Sequence, residues 1–224
     1  VRADEIQPNR WVVLVPLPPE RPTEVPKEYF ALAGWYLAEG FIDRSLVIFS
    51  LGGDEEHHAE EIVNLAEILG YRGSYRKVVG KNEIRVTISS EELVSKLVRA
   101  FGRGARNKTI PQWVIETERD KVKALLDNWV KGDGCQLGEH HFVVCTASKR
   151  LAIAGFLCFA KLGIIPSLGL HRTRTRAFGR VYESPLHCLE FFTRRRKGYG
   201  CWVKDGVLYL PVRKVRIFHY EGEV

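Results

Sequence analysis

An α+β fold built from two copies of one unit is what this sequence predicts, on three observations. Two apolar helical stretches each run into an acid beside glycine: ALAGWYLAEGF (residues 31–41) reaches Glu39, and ALLDNWVKGDGC (residues 124–135) reaches Asp133 between Gly132 and Gly134. The acids stand 94 positions apart, and the elements after each follow in the same order. The glycines that close the next helix of each copy, Gly70 and Gly163, stand 93 positions apart. Duplicated halves account for all three.

In order along the chain, the first acid is followed by an apolar strand, SLVIFSL (45–51), and by a helix over 55–70 with Ile62, Leu65, Ala66 and Leu69 at helical spacing. Gly70 stops it. The segments YRGSYRKVV and NEIRVTIS then flank a Gly80-Lys81-Asn82 turn. In the second of them Ile84, Val86 and Ile88 alternate with Glu83, Arg85, Thr87 and Ser89, so one face packs on helices and the other faces outward. A helix over 89–102 ends the first half, and the basic loop GRGARNKTIP (102–111) connects to the second. Its glycines are too irregular to cradle phosphate.

The second half repeats the plan. HFVVCTA (141–147) is a strand, and 148–163 a helix that Ser148 caps at its start and Gly163 closes. In PSLGLHRTRTRAFGRVYES, Arg172, Arg174 and Arg176 fall at every other position, one cation about every 6.5 Å along a strand. That spacing can follow a sugar-phosphate backbone. PLHCLEFF (185–192) is expected to be the helix that ends this half.

Composition narrows the function classes. A hydrophobic content of 45% is ordinary for a globular chain, and no window approaches the 18 or so apolar residues of a membrane span. With no leader at its start, the chain is expected to be soluble and cytoplasmic. The net charge of +7 is local: residues 165–224 carry 12 Lys/Arg against 5 Asp/Glu, while residues 1–164 balance. A surplus confined to one region suggests a surface for nucleic acid. Five cysteines are an odd number without a dense framework, which favours reduced thiols, and the Cys135–Cys145 block has no zinc-finger spacing. Absent Met and few Asn and Gln are compatible with a heat-adapted source.

An acid at a helix C-terminus needs a reason, because unpaired carbonyls there make an anion cost about 0.3–1 kcal/mol. The residues around both acids resemble a known signature. Leu32-Ala33-Gly34-Trp35-Tyr36-Leu37-Ala38-Glu39-Gly40 matches the motif of the LAGLIDADG homing endonucleases nearly throughout, with Glu for the usual Asp. Leu126-Asp127-Asn128-Trp129-Val130-Lys131-Gly132-Asp133-Gly134 is looser at its start and intact at its Gly-Asp-Gly end. The resemblance spans roughly residues 28–200 and is to the single-chain, two-motif type, of archaeal intron or intein origin. It implies two αββαββα halves related by a pseudo-twofold axis, with a saddle-shaped antiparallel DNA-binding sheet. The halves would be residues 28–118 and 119–203, with flanks at 1–27 and 204–224.

Small residues at Ala33, Gly34, Ala38, Gly40, Gly132 and Gly134 would let the two helices approach until their acids meet. Side by side with helix-end carbonyls, two carboxylates make an oxygen-rich site for Mg²⁺ or Mn²⁺, whose charge offsets the dipole cost and the mutual repulsion. By resemblance, Glu39 and Asp133 with the carbonyls of Ala38 and Gly132 hold the metals. The implied chemistry is metal-assisted hydrolysis of one phosphodiester per strand of a long asymmetric double-stranded DNA site, across the minor groove, leaving short 3′ overhangs. The family also places a basic residue near each metal: Lys108 is the candidate for the first half, and Lys197 and Lys204 both qualify for the second. Candidate DNA contacts are Arg76, Lys77, Lys81 and Arg85 in the first half and Arg172, Arg174, Arg176 and Arg180 in the second. A monomer is expected, with intron RNA as a further partner.

The flanks carry a weaker resemblance to intein splicing blocks, over Arg2–Pro16 and Val215–Val224. Neither a nucleophile at a first splice junction nor a terminal His-Asn is present, so the chain as given does not splice; two edge strands covering the core are an equal explanation. The competing functions on this scaffold are an RNA maturase and a catalytically silent DNA-binding segment.

Overall fold

The computed structural model describes residues 5–7, 12–177, 180–194, 200–212 and 214–215. Strand β1 (Val12–Pro16) precedes the first half, which runs α1 (Lys27–Glu39), β2 (Gly40–Asp43), β3 (Leu46–Gly52), α2 (Glu56–Ile68), β4 (Gly73–Lys77), β5 (Glu83–Ser89) and α3 (Glu91–Phe101). After the short helix α4 (Gln112–Ile115), the second half runs α5 (Arg119–Asp133), β6 (Gly134–Gly138), β7 (His141–Thr146), α6 (Lys149–Lys161), β8 (Ser167–Ala177) and β9 (Arg180–Phe192). Strands β10 (Trp202–Lys204) and β11 (Val207–Pro211) follow.

The duplication is visible in the sheets. One has the order β2-β3-β5-β4 and the other β6-β7-β9-β8, both antiparallel and with the same connectivity. The expected alternation in β5 holds: Ile84, Val86 and Ile88 are buried and the residues between them are not. Gly70 and Gly163 stop α2 and α6 at φ of 81° and 84°, where any side chain would be strained. Ser148 Oγ accepts from Leu151 N at 3.2 Å and caps α6.

Helices α1 and α5 lie side by side between the sheets. Residues Tyr29 to Leu37 of α1 are buried on every face, as an all-round apolar helix must be. Trp35, Tyr36 and Phe30 on α1 and Trp129 on α5 are among the largest fully buried side chains. On the other side of α1, the helix α3 presents Leu93, Leu97 and Phe101, one turn apart and all fully buried.

Two expectations are corrected. PLHCLEFF is not a helix but the end of β9: Leu189 and Phe191 are buried with exposed Glu190 between them, a period of two that 8 residues of sequence do not separate from a helical one. Among the described residues, therefore, no helix after β9 corresponds to α3. Each acid opens a hairpin, as the αββαββα unit implies, and its first strand, β2 or β6, is short. The thiols are not all reduced, since Cys145 and Cys188 form a disulfide. They face each other in the register of β7 and β9 with Cα atoms 4.1 Å apart, a pairing that 43 residues of separation hide from the sequence.

The described flank residues form a sheet of their own. β1 pairs with β11, and β11 with β10, in a separate three-stranded sheet, and Val12, Val13 and Leu14 are exposed. Residues 1–4, 8–11 and 216–224, where most of the flank motifs fall, lie outside the described residues.

Candidate active site at the paired helix ends

Glycine sets how closely α1 and α5 approach. A Cβ on Gly34 would strike the Leu125 carbonyl and stand 3.0 Å from Asn128 Cβ and Trp129 N. One on Gly132 would stand 2.5 Å from Ala38 Cβ and 3.3 Å from Glu39 Cγ. Gly34 and Gly132 thus mark two points of near contact, the second beside the acids. Gly40 and Gly134 act differently from what the sequence suggested. Their missing Cβ atoms would meet Tyr36 and Val130 of their own helices, so they carry each chain from helix directly into strand.

Both carboxylates are partly buried at the ends of these helices. The Glu39 carboxyl is pushed up to about 7, first by burial, then by the charges of Asp133 and Glu55, with Lys108 opposing. Burial also raises Asp133, against the pull of a hydrogen bond from Trp129 and the charge of Lys108. Trp129 Nε1 donates to Asp133 Oδ2 at 3.1 Å. Trp35, four residues before Glu39 as Trp129 is before Asp133, is fully buried, and its Nε1 has no hydrogen-bond partner. An unsatisfied buried donor costs about 1–3 kcal/mol.

Lys108 is 5% exposed, and its ammonium donates to the carbonyls of Tyr36 (2.6 Å), Leu37 (3.0 Å) and Gly40 (2.8 Å) at the end of α1. All three of its protons have backbone partners. Burial lowers its pKa to about 8, while Asp133 and Glu39 favour its charge. It is a cation at the dipole's negative end, offsetting what Glu39 costs there. Its own carbonyl accepts from Ser148 Oγ at 2.7 Å, which ties the interhalf loop to the start of α6. That loop, read from sequence as a connector, also carries Arg103, which donates to the Ile42 carbonyl at 3.2 Å, and Arg106, which donates to Ser184 Oγ at 3.2 Å.

The donors gathered here are all oxygen, which suits a hard divalent cation such as Mg²⁺ or Mn²⁺. Among the described residues no group of three or more His, Cys, Asp or Glu side chains could hold a metal. Two carboxylates are therefore what the side chains offer, and an ion's remaining ligands would be helix-end carbonyls such as those of Ala38 and Gly132, water, or substrate.

The expected DNA contacts divide. Arg76 and Arg85 face each other across β4 and β5 on the outward face, in line with Ser50 of β3. Lys81 lies in the turn between β4 and β5. Lys77 is not with them: it sits opposite buried Ile84, on the helix side, and pairs with Glu56 at 3.0 Å. Arg172, Arg174 and Arg176 do alternate along β8, and the register places Arg172 on the side of Leu168, which faces the buried Leu189. Arg172 is exposed and 3.8 Å from Glu183. Spacing predicts which residues share a face, and pairing decides which face it is. The side chains of Arg174, Arg176 and Arg180, and all of Lys197, lie outside the described residues; Lys204 is exposed on β10.

No family model matches the chain. Its fold is similar to that of the homing endonuclease I-DmoI in complex with DNA and Mn, with a TM-score of 0.52 and 12% identity over 74% of this chain and 89% of that one. Mesophilic variants of I-DmoI give a TM-score of 0.53 and 12% identity over 75% and 89%. Other I-DmoI structures hold DNA with Ca or Mg. The chain therefore has the homing endonuclease fold, a mixed α/β architecture with antiparallel sheets that in I-DmoI binds DNA. Among curated proteins it is 22% identical to an uncharacterized protein of Methanocaldococcus jannaschii, over 90% of this chain and 26% of that one. It is 29% identical to an iron-sulfur cluster assembly SufBD family protein of Mycobacterium tuberculosis, over 70% of this chain and 20% of that one. It thus spans a fifth to a quarter of the length of these relatives. No helix among the described residues is long and apolar enough to cross a membrane.

Proposed function

We propose that the chain is a site-specific double-strand DNA endonuclease that hydrolyses one phosphodiester per strand across the minor groove and leaves short 3′ overhangs. The observation that carries this reading is the pair of carboxylates, Glu39 and Asp133, at the ends of two helices whose approach is set by Gly34 and Gly132. A protein that only bound DNA would have no need of two desolvated acids at the unfavourable end of two helix dipoles. We assign the two catalytic halves to residues 28–118 and 119–203, acting as a monomer on a long asymmetric site.

In this reading Glu39 and Asp133, with the carbonyls of Ala38 and Gly132, hold Mg²⁺ or Mn²⁺. Bound there, the ion supplies an activated water and charge stabilisation for the phosphorus oxygens and the leaving 3′ oxygen. Lys108 fixes the end of α1 through three carbonyls and so holds the position from which Glu39 projects. Arg76 and Arg85 offer cations on the outward face of the first sheet for phosphate or base edges.

The test is to incubate the purified chain with Mg²⁺ and a plasmid library of intron-free and intein-free alleles and to map the breaks. A unique double-strand break is expected, and Glu39→Gln or Asp133→Asn should abolish it while leaving binding nearly intact. Full cleavage by either variant would end the metal-site assignment. Sequence-specific binding without cleavage by the parent chain would favour a maturase or a silent DNA-binding segment. An intron or intein origin, which we propose on the flank motifs, is tested by looking for splice junctions in the coding sequence on either side.

A further inference from the structure

The two motif helices share one residue type that the hydrolytic reading leaves without a role. A tryptophan stands four positions before each acid, Trp35 before Glu39 and Trp129 before Asp133. Four positions bring two side chains onto one helix face, and because helical side chains lean toward the N-terminus, the acid reaches back toward the ring. In α5 that meeting is made, with Trp129 Nε1 donating to Asp133 Oδ2 at 3.1 Å. The Trp129 ring is seated against α6, where a Cβ on Gly155 would stand 2.5 Å from it.

In α1 the same donor is present and idle. Trp35 is fully buried, its Nε1 has no partner, and its ring packs on His58 with centroids 4.8 Å apart. Trp35 Cζ3, on the benzo edge away from Nε1, and Glu39 Cγ both lie against Gly132, 3.5 and 3.3 Å from where its Cβ would be. Glutamate is one methylene longer than aspartate, so its carboxylate has the reach to swing onto an indole one turn back. A buried donor left without a partner one turn before an acid points to a second arrangement, with the indole turned about its side-chain bonds, in which the two meet.

We propose that Trp35 and Trp129 are positioning residues for the metal site, one indole N–H for each carboxylate. Trp129 already holds one oxygen of Asp133 and leaves the other for the ion; Trp35 takes Glu39 in the same way when that carboxylate turns to ligate. This rests on the metal-centre reading above, and the asymmetry means that one acid is set before an ion arrives and the other is set by it.

Five tryptophans give five indole signals in a ¹⁵N-labelled sample of the full chain, and Trp35→Phe and Trp129→Phe assign the two of interest. Asp133→Asn should move the Trp129 signal without any ion. Titration with Mg²⁺ should move the Trp35 signal downfield, and Glu39→Gln should abolish that movement. Replacing either indole by benzothiophene, which keeps the ring and removes the donor, should weaken Mg²⁺ about tenfold.

A Trp129 signal unmoved by Asp133→Asn overturns the proposal, as does a saturable Mg²⁺ titration in which Trp35 stays still. A benzothiophene variant that loses melting temperature but keeps its Mg²⁺ affinity overturns it too, since that is packing alone. If Mg²⁺ moves no signal in the chain, the metal-centre reading and the Trp35 half fall together, while the Trp129–Asp133 contact is judged by Asp133→Asn alone.

Discussion

Glu39 sits where an ordinary surface glutamate would not, with its carboxyl raised from 4.5 to about 7 by burial, Asp133 and Glu55. A carboxyl whose folded value lies above its unfolded one binds more protons in the folded chain, so stability is lost as pH rises through that interval. Without divalent ions, the melting temperature of Glu39→Gln should gain on that of the parent between pH 4.5 and 7 and keep the gain above it. Added Mg²⁺ should close the gap above pH 7 by stabilising only the parent. A gap that shrinks with pH in the absence of ions would mean that Glu39 is favoured, not penalised, as an anion. Sequence pointed to this residue through the helix dipole and the repeated motif, but it could not name Glu55 as a neighbour or Lys108 as a cap on three carbonyls.

The paired helices form the element on which the site depends, and their spacing is set by absent side chains. Gly132→Ala drives a methyl group to 2.5 Å from Ala38 Cβ, neither of which can rotate away, so the helices must separate. Overpacking of this kind costs about 1–3 kcal/mol, to be read as a shift in the midpoint of urea unfolding. Gly134→Ala leaves that interface alone, because its conflict is with Val130 of its own helix. Equal effects of the two variants on cleavage would contradict the assignment of Gly132 to the interface. All the glycines of the two motifs look alike in sequence; the direction of each Cα–hydrogen bond, which depends on how the helices cross, separates them.

Across the whole molecule, the two sheets meet charge differently. Arg76 lies on the outward face of β4 beside Arg85, whereas Arg172 stands on the helix-side register of β8. With DNA bound, Arg76→Ala should reduce the slope of log affinity against log salt by about one. Arg172→Ala should reduce it less, as long as the outward faces are those that meet DNA; the reverse order would put the second sheet's contact surface on its other side. The basic surplus of residues 165–224 was plain from composition, but a charge count carries no direction. The disulfide between Cys145 and Cys188 joins the two middle strands of that second sheet, another feature that only strand pairing creates.

The sequence alone determined the duplication, the strand and helix that follow each acid, and the two acids at the helix ends. These are local patterns: helical and strand periodicities, glycine stops, and a motif repeated at a fixed interval. Tertiary structure decided which glycines touch the partner helix, which faces Arg76 and Arg172 take, that PLHCLEFF extends β9, and that one tryptophan holds its acid while its twin does not. The physical reason is common to all four. Each depends on the register or crossing of segments far apart in the chain, and a period of two or of 3.6 is blind to a shift of partner.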